Sequence, residues 1–349
     1  MKRRVVITGM GLVTPLGCRL QEFGERLLSG ESAAAPITLF DPASFPTTIA
    51  AEVNDARFKT DFKDRKVLFA VASARDAVMD SQRTGMTLKK FYDKAPCFLS
   101  LGTGLELFSM PDMLTYRKNQ TLPASDTCHP LCFIQTPSDI SVHKISLEHD
   151  LTWPPQVHVS ACAASTDAIG RAFMRVRGGD VAYALAGGTD AMINPMGVGG
   201  FCRIQAMTTK NKTPKVASRP FDRDRDGFLL GEGAAVFVLE SLESAAKRGA
   251  PVFAEIAGYG NAMDAYGISE PDPMGSGAVL AMRRAIYSAG ITPQSIVHVS
   301  AHGTSTPKND PVETCAIRTV FGGHADDLTV NATKSMIGHL IAASGAVEV

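Results

Sequence analysis

The run Val157-His-Val-Ser-Ala-Cys-Ala-Ala-Ser-Thr166 decides the fold class, because it joins two kinds of secondary structure through small residues. Its first part is a short β-branched run typical of a strand, and Asp167–Val176 follows with the apolar spacing of a helix. The passage therefore predicts a strand that leads directly into a helix. It places Cys162 at the N-terminus of that helix.

The same order recurs on both sides of this run. Arg4–Thr8 and Ile296–Ser300 are also β-branched, and small residues and then helical periodicity follow each of them. Helices are predicted at Lys66–Met79 and Ala278–Ala289, where apolar positions recur at steps of three and four residues. This alternation predicts an α/β fold.

A second series of strand, helix and strand begins at Pro251–Gly258. Its element order echoes that of the first half, so we predict two duplicated halves, 1–249 and 250–349. Within the first half, Lys118–Pro155 is the least regular stretch because its prolines interrupt any long helix. Loops or variable insertions are expected there.

Composition narrows the class of protein. A chain of 349 residues with 45% hydrophobic content can bury a large core. Its 35 basic and 35 acidic residues balance, so no global field attracts nucleic acid or an anionic membrane. Seven cysteines, an odd number with no CxxC pair, argue against a secreted disulfide framework and favour the cytoplasm. No stretch reaches the roughly 18 apolar residues of a membrane helix.

Three residues are candidates for chemistry. The helix N-terminus favours the thiolate of Cys162, and the small neighbours leave room for an acyl group. His302 follows a predicted strand in Ser300-Ala-His-Gly-Thr304, and His339 follows Lys334 by five residues. One cysteine with separated histidines fits a thiol nucleophile. For each residue taken alone, a structural role remains the alternative.

The three segments resemble the Cys, His and Lys/His signatures of the β-ketoacyl-acyl carrier protein synthases, especially the type II fatty-acid elongating enzymes. The likeness spans nearly the whole chain. It includes, in order, Val6–Gly11, Ala186–Gly188, Ser218–Phe228, Gly231–Gly233 and Lys334–Ala343.

The resemblance implies a thiolase-like αβαβα layered fold and a two-stage reaction. Cys162 would take an acyl group from a carrier thioester. Malonyl-acyl carrier protein would then lose CO2, and its carbanion would attack the acyl-enzyme. His302 and His339 would donate hydrogen bonds to the malonyl thioester oxygen. The backbone N–H of Cys162 would supply one oxyanion-hole donor.

Further roles follow from the resemblance alone. Lys334 would support the histidines, with Glu348, Asp310 and Glu313 in a supporting network, and Thr304 and Thr306 would contact phosphopantetheine. That arm arrives on the acyl carrier protein, so no metal or other cofactor is expected. The second partner would be an identical subunit or a related synthase subunit.

The sequence also departs from the family's pattern. Leu105–Pro155 loses most of it, in the part that usually lines the acyl pocket and the dimer interface, and Gln205 stands near Arg203 where the family often places an arginine for the carrier. Five basic residues fit either an ordinary solvated face or a carrier surface: Lys63, Arg65, Lys66, Lys210 and Lys212.

Other patterns in the sequence are incomplete. Asp222–Gly227 imitates an EF-hand opening, but Gly233 occupies the position of the required glutamate. Cys128-His-Pro-Leu-Cys132 has no second pair to complete a metal site. Gly9-x-Gly11 and Gly102-x-Gly104 lack the third glycine of a dinucleotide fingerprint, and tight turns explain them. Neither a metal nor a dinucleotide is predicted.

The segment Gly338–Val349 is predicted to be a buried helix that stops while still apolar. In the resembled family, further strands and a Gly-rich loop follow, so the resemblance implies a C-terminally shortened chain with weak activity and poor solubility. Two rival hypotheses remain open, namely a non-condensing partner subunit of a synthase heterodimer and an inactive fragment. Fatty-acid, polyketide and aryl polyene synthesis would share these motifs.

Overall fold

The computed structural model describes residues 2–59, 64–93, 95–108, 118, 135–151, 153–267 and 270–349, with 107, 108, 135 and 136 described by their backbone alone. A mixed sheet of six strands forms its centre, in the order β10-β1-β9-β8-β4-β7. These strands are β1 (Val5–Val13), β4 (Cys97–Thr103), β7 (Gln156–His158), β8 (Tyr183–Ala191), β9 (Glu232–Ser241) and β10 (Ala254–Ile256). The predicted α/β fold class is confirmed.

Three smaller sheets accompany the central one. The parallel pair β11 (His298–Ser300) and β12 (Thr329–Asn331) lies in the second half of the chain. The antiparallel pairs are β2 (Ala35–Pro36) with β3 (Ile49–Ala50), and β5 (Leu107–Phe108) with β6 (Gln135–Thr136).

The helices connect and cover the strands. They are α1 (Leu20–Leu28), α2 (Arg65–Ser81), α3 (Leu88–Tyr92), α4 (Ile140–Glu148), α5 (Ala164–Gly178), α6 (Pro195–Arg203), α7 (Leu242–Arg248), α8 (Ser276–Ala289), α9 (Asn309–Phe321), α10 (Lys334–Ile337) and α11 (Ser344–Glu348).

The two faces of the central sheet are buried by different helices. Along β9, Val236 and Val238 pack in a core with the alanines of α2, whereas Phe237 and Leu239 pack in a core with α5. Successive side chains of a strand point to opposite faces, so this alternation places α2 and α5 on opposite sides of the sheet. The result is a layered core with strands buried on both faces.

The Gly9-x-Gly11 pair has a packing role within β1. A Cβ atom on Gly9 would lie 2.2 Å from the Ala77 carbonyl oxygen, and one on Gly11 would lie 2.1 Å from that of Ser73. Both contacts are with α2, so the glycines allow this helix to lie close against the strand. The prediction of a tight turn here is wrong, because both residues lie inside a nine-residue strand.

Most predicted elements are present, and two need correction. Within Lys118–Pro155, where loops were expected, Ile140–Glu148 forms α4, whose Val142 and Ile145 are buried. Gly338–Val349 is not one helix. Gly338 has φ 73° and Ile341 has φ 47°, and these left-handed conformations break the helical path before the short α11.

The strand that follows Gly249 joins the first sheet. Residues Ala254–Ile256 of β10 pair with Ile7–Val5 of β1. The division of the chain at 249 remains a prediction, and β11 and β12 follow this strand as a separate two-stranded sheet.

Candidate active site

Cys162 lies in a single turn of 3-10 helix, Ala161–Ala163, between β7 and α5. Ala161 adopts φ 49°, a left-handed conformation that an alanine rarely occupies. The chain thus turns sharply at the end of the strand before the helix starts. This turn presents the half-buried thiol after the strand and before the helix, which is the position that the sequence predicted.

His339 lies within hydrogen-bonding distance of that thiol. Its Nε2 atom is 3.1 Å from Cys162 Sγ. Its Nδ1 atom accepts the backbone N–H of Ile341 at 3.1 Å and lies 2.8 Å from the Ser344 hydroxyl oxygen. Because a backbone N–H can only donate, Nδ1 carries no proton in the neutral ring, and Nε2 is the N–H donor. The ring therefore points an N–H group at the reacting position.

His302 completes the group from the second half of the chain. Its ring lies 5.2 Å from that of His339, centroid to centroid, at an angle of 84°. Glu313 fixes the turn after β11, accepting the backbone N–H of His302 at 2.6 Å and that of Gly303 at 2.8 Å. The structure thus brings together Cys162, His302 and His339, with one ligand atom from each within 4.8 Å of the others.

Lys334 is the buried cation next to this group. It is 1% exposed and pairs with the carboxylate of Glu348. Burial, followed by the Lys334 charge, lowers the pKa of His302 to about 3. The same two causes, with the His302 charge, place the pKa of His339 well below its usual value. Both imidazoles are therefore neutral near pH 7 and act as hydrogen-bond donors or acceptors.

The electrostatics of Cys162 differ from the expectation. Burial raises the pKa of its thiol to about 11, and the opposing charge of Lys334 does not offset this. A backbone N–H does lower the pKa of the thiol, in the direction expected for a helix N-terminus, but desolvation of the sulfur outweighs it. The nucleophile is held as a thiol, and its proton has to leave during acyl transfer.

One member of the predicted supporting network, Asp310, binds neighbouring loops. Asp310 is 1% exposed, accepts the backbone N–H of Phe221 at 2.7 Å, and lies 3.7 Å from Arg225. Arg225 also donates to the Thr306 carbonyl oxygen at 3.0 Å. The Asp222–Gly227 run, with its EF-hand appearance, therefore contributes an arginine that holds the loop after His302.

The two threonines proposed for phosphopantetheine lie on that loop. The hydroxyl oxygens of Thr304 and Thr306 are 2.8 Å apart, and Thr306 Oγ1 accepts the backbone N–H of Asn309 at 3.3 Å. Thr304 is buried and Thr306 is half-buried. They follow His302 by two and four residues, in the loop between β11 and α9.

A cleft of about 550 Å³ opens onto the nucleophile. Its lining includes Cys162, His302 and Glu348, together with Asp167 and Tyr259. Tyr259 donates its hydroxyl to Asp167, in the first turn of α5. Substrate can reach the sulfur from this side.

Sequence reasoning missed several residues of the site. Ser344 and Ile341 fix the tautomer of His339, and the ring of Phe228 packs against that histidine at 5.2 Å. Phe228 closes the Ser218–Phe228 run, which was a usable signal. Ser344 lies among small residues and carried no signal of its own.

Two of the five basic residues are not part of a solvated face. Lys66 is 2% exposed and pairs with Asp64 at 2.7 Å, and Arg65 pairs with Glu232 at 2.7 Å. Both serve the interior, so the expectation of a solvated or carrier-binding surface is wrong for them. Lys210 and Lys212 lie nearer the surface, and Lys63 lies outside the described residues. So does the Cys128–Cys132 segment.

In the part of the chain that the structure describes, no helix is both long enough and apolar enough to cross a membrane.

A thiol held by a histidine at the end of a strand, in a layered α/β fold, defines a thiol-nucleophile enzyme. The family models agree, since "Beta-ketoacyl synthase, N-terminal domain" matches residues 2–245 and "Beta-ketoacyl synthase, C-terminal domain" matches residues 253–349. The chain belongs to the β-ketoacyl synthase family.

Curated relatives carry a consistent name. A 3-oxoacyl-[acyl-carrier-protein] synthase 2 of Coxiella burnetii is 41% identical over 99% of this chain and 84% of its own length. The protein of the same name in Synechocystis is 37% identical over the same shares. The expected C-terminal shortening is not supported by these coverages. They measure how much of each chain is similar, and they do not show where the natural protein ends.

Solved structures share the fold. A β-ketoacyl synthase from Burkholderia phymatum superposes with a TM-score of 0.86 at 31% identity, over 100% of this chain and 84% of that one. The AntDE:AntF complex, described as a type II PKS acyl-carrier protein with its ketosynthase bound to the hexaketide, gives 0.87 at 27% identity over 100% and 85%. The predicted thiolase-like fold is confirmed.

Proposed function

We propose that this chain catalyses decarboxylative Claisen condensation on thioesters of an acyl carrier protein. The observation that carries the proposal is the 3.1 Å separation of Cys162 Sγ from His339 Nε2, with the His302 ring beside them. The reaction class agrees with the names of the relatives. In the order of the reaction, the site would act first as an acyl acceptor and then as a decarboxylating centre.

In the first stage, Cys162 sulfur attacks the carbonyl carbon of the acyl group on the carrier. A new thioester forms, the bond from that carbon to the carrier sulfur breaks, and the proton of Cys162 passes to the departing carrier thiol. The backbone N–H of Cys162, in the turn just before α5, is the proposed donor to the oxyanion. Burial of the sulfur keeps the thiol protonated until substrate arrives.

In the second stage, malonyl-carrier protein occupies the site. The bond from its α-carbon to the carboxyl group breaks, CO2 leaves, and the enolate forms on the thioester. The neutral rings of His302 and His339 donate N–H groups to the enolate oxygen. The α-carbon then attacks the acyl carbonyl on Cys162, the acyl-sulfur bond breaks, and the β-ketoacyl thioester leaves on the carrier. The Cys162 sulfur departs as a thiolate and takes up one proton from solvent, which restores the resting thiol. Lys334 biases both rings towards their neutral forms.

The partners follow the same proposal. The acyl carrier protein delivers both substrates, and Thr304 and Thr306 are the proposed contacts of its phosphopantetheine arm. No metal or redox cofactor is needed by this chemistry. The three ligand atoms at the centre include a sulfur and a nitrogen at a hydrogen-bonding distance of 3.1 Å, shorter than the roughly 3.5 Å that two zinc ligands would span.

A dimer is the second part of the proposal. Strand β7 ends the central sheet, and among the described strands only β4 pairs with it. Val159, directly after this strand and three residues before Cys162, is 61% exposed. A free edge next to exposed apolar residues favours pairing with a second synthase subunit, identical or related. The cytoplasm is the proposed location.

The proposal is tested by the mass of the intact protein after incubation with acyl-carrier protein. We expect an increase equal to one acyl group on wild type and no increase on Cys162→Ala. Addition of malonyl-carrier protein should then remove the adduct and produce a β-ketoacyl carrier. Acyl loading without condensation would favour the partner-subunit hypothesis. An absence of acyl loading would contradict the proposal that this chain is a condensing enzyme. Fatty-acid, polyketide and aryl polyene pathways remain to be separated by the accepted acyl groups.

A further inference from the structure

A buried carboxylate lies beside the turn that follows His339. Asp190, in β8, is 0% exposed. Its Oδ2 atom accepts the backbone N–H of Ala342 at 3.1 Å, and its Oδ1 atom accepts that of Ala191 at 2.9 Å. Ala342 is the middle residue of a turn of 3-10 helix, Ile341–Ala343. Asp190 therefore joins the central sheet to this turn.

The surroundings of Asp190 make its burial costly. Burial raises the pKa of its carboxyl group to about 7, the charge of Lys66 opposes that rise, and the charge of Asp64 adds to it. The Lys66 ammonium pairs with Asp64 at 2.7 Å and donates to the Leu105 carbonyl oxygen at 3.0 Å. The charge of Asp190 also contributes to the raised pKa of Cys162, so Asp190 acts on the same site. Two backbone hydrogen bonds offset the cost of burying this carboxyl group.

The turn that Asp190 holds is strained. Ile341 adopts φ 47°, which is an outlier for a β-branched residue and costs about 1–3 kcal/mol. Such a conformation persists only where the surrounding contacts enforce it. The hydrogen bond from Ala342 to Asp190 fixes the peptide group that directly follows Ile341, so it is one of these contacts.

The state of the His339 ring depends on this turn, whereas its backbone does not. The His339 backbone N–H donates to the Leu229 carbonyl oxygen at 2.6 Å, and its carbonyl oxygen accepts the Gly231 N–H at 2.9 Å. The ring atom Nδ1, by contrast, accepts the N–H of Ile341 at 3.1 Å. The Ser344 hydroxyl beside Nδ1 can donate or accept. The Ile341 N–H is therefore the contact that excludes a proton from Nδ1.

We propose that Asp190 is a positioning residue that keeps the proton of His339 on Nε2, by holding the Ala342 N–H and with it the turn at Ile341. Without Asp190, the turn relaxes, Ser344 accepts a proton from Nδ1, and Nε2 no longer donates towards the substrate. The effect on catalysis rests on the proposed function, since it concerns the donor used in the malonyl stage. The tautomer itself is a property of the free protein.

The first measurement reads the tautomer without substrate. In the chain labelled with ¹⁵N-histidine, the ring nitrogen shifts distinguish a protonated from an unprotonated nitrogen, and the signals of His339 are those lost in His339→Ala. We expect the proton on Nε2 in wild type and a mixture of both tautomers in Asp190→Ala. Asp190→Asn should recover most of the wild-type pattern, because its amide oxygen can still accept the Ala342 N–H.

The second measurement follows the two half-reactions. Asp190→Ala should lower malonyl decarboxylation on the order of tenfold, which is less than the 10²–10³ lost with a whole donor. Acyl loading of Cys162 should persist, because its oxyanion is assigned to a backbone N–H. When Asp190→Ala is combined with His339→Ala, we expect no further loss of decarboxylation, because the ring through which Asp190 acts is absent.

The matched control is Asp80→Ala, because Asp80 accepts the backbone N–H of Met10, in β1, at 3.1 Å. It should keep the wild-type tautomer and the wild-type ratio of the two half-reactions. If Asp190→Ala does not fold, Gly104→Ala tests the same hydrogen bond. A Cβ atom on Gly104 would lie 2.1 Å from Asp190 Oδ2, so the methyl group displaces the oxygen that accepts from Ala342.

The outcomes separate the role of Asp190 from the proposed function. A wild-type tautomer of His339 in Asp190→Ala, or in Gly104→Ala where that variant replaces it, would overturn the positioning role. A further loss of decarboxylation in the double variant would overturn it as well. A wild-type chain that does not decarboxylate malonyl-carrier protein would overturn the proposed function, and the tautomer measurement would still decide the role of Asp190.

Discussion

Removal of the His339 ring should separate the two half-reactions. In the structure, the ring offers one N–H group, at Nε2, because Nδ1 accepts the Ile341 backbone N–H at 3.1 Å. That donor is assigned to the enolate of the malonyl stage. The replacement His339→Ala removes it and leaves Cys162, its backbone N–H and α5 unchanged.

The magnitude follows from the number of donors lost. Loss of one donor to a developing oxyanion costs about 10²–10³ in rate, or about 2.7–4 kcal/mol. We expect malonyl decarboxylation to fall by that factor. Acyl transfer should fall by less than about tenfold, because its oxyanion is assigned to a backbone N–H.

The assay follows each half-reaction alone. Adduct mass reports acylation of Cys162, and release of labelled CO2 from malonyl-carrier protein reports decarboxylation. The matched variant is His339→Gln, whose side-chain amide can place an N–H near the position of Nε2. It should recover part of the decarboxylation rate that His339→Ala loses.

The pH profile gives an independent check. A histidine with a lowered pKa is neutral at every pH above that pKa. The ring loses its proposed neutral form only when the pH falls below the pKa. Because the pKa of His302 lies at about 3, decarboxylation should not decline through histidine protonation as the pH falls from neutrality towards mildly acidic values. Equal losses in both half-reactions of His339→Ala, or a His339→Gln variant no better than it, would refute this reasoning.

Three further outcomes are expected. Cys162→Ala should abolish the acyl adduct, whereas Cys202→Ala, a half-buried cysteine of the same apolar cluster, should retain it in the same mass measurement. Glu348→Gln should lower the free energy of unfolding by about 3–5 kcal/mol in urea titration, because it strands the buried Lys334 cation. Glu243→Gln, which breaks the exposed pair with Lys247, should leave that free energy nearly unchanged. The rate of alkylation of Cys162 by iodoacetamide should rise about tenfold per pH unit from about pH 7 to about pH 10, because only the thiolate reacts and the pKa of the thiol is about 11. A rate that levels off near pH 8 would instead show that the thiolate is already present.

The fold was predictable where local pattern and tertiary packing agree. The strand before Cys162 and the helix after it both form within a few residues of their predicted bounds, because β-branched and helical periodicities match the buried faces. Prediction failed at Gly338–Val349, since composition favours a helix there. Contacts with Leu230 and the Ser344 side chain instead hold the backbone in left-handed turns at Gly338 and Ile341.

The site was predictable by residue type and not by charge state. Cysteine and histidine at strand ends could be recognised in the sequence, and the structure does bring them together. The pKa of Cys162 could not be read in the same way, because it depends on desolvation by residues distant in sequence. Phe228, Met192 and Ile341 are examples, because they belong to the apolar cluster against which Cys162 packs after folding.

These electrostatics have a consequence for the order of events. A thiol with a raised pKa and two imidazoles with lowered pKa values make the three reacting side chains uncharged at rest, with the Lys334–Glu348 pair beside them. In a largely buried site, hydrogen-bond donors stabilise negative charge more strongly than they would in water. That charge first develops on the oxyanion or the enolate of the substrate. The Lys334 ammonium lies close enough to shift all three pKa values, so it favours both anions while it keeps the rings neutral. Cys162 therefore does not need to be a thiolate before substrate binds, because the charge it would carry forms on the substrate oxygen next to the same donors.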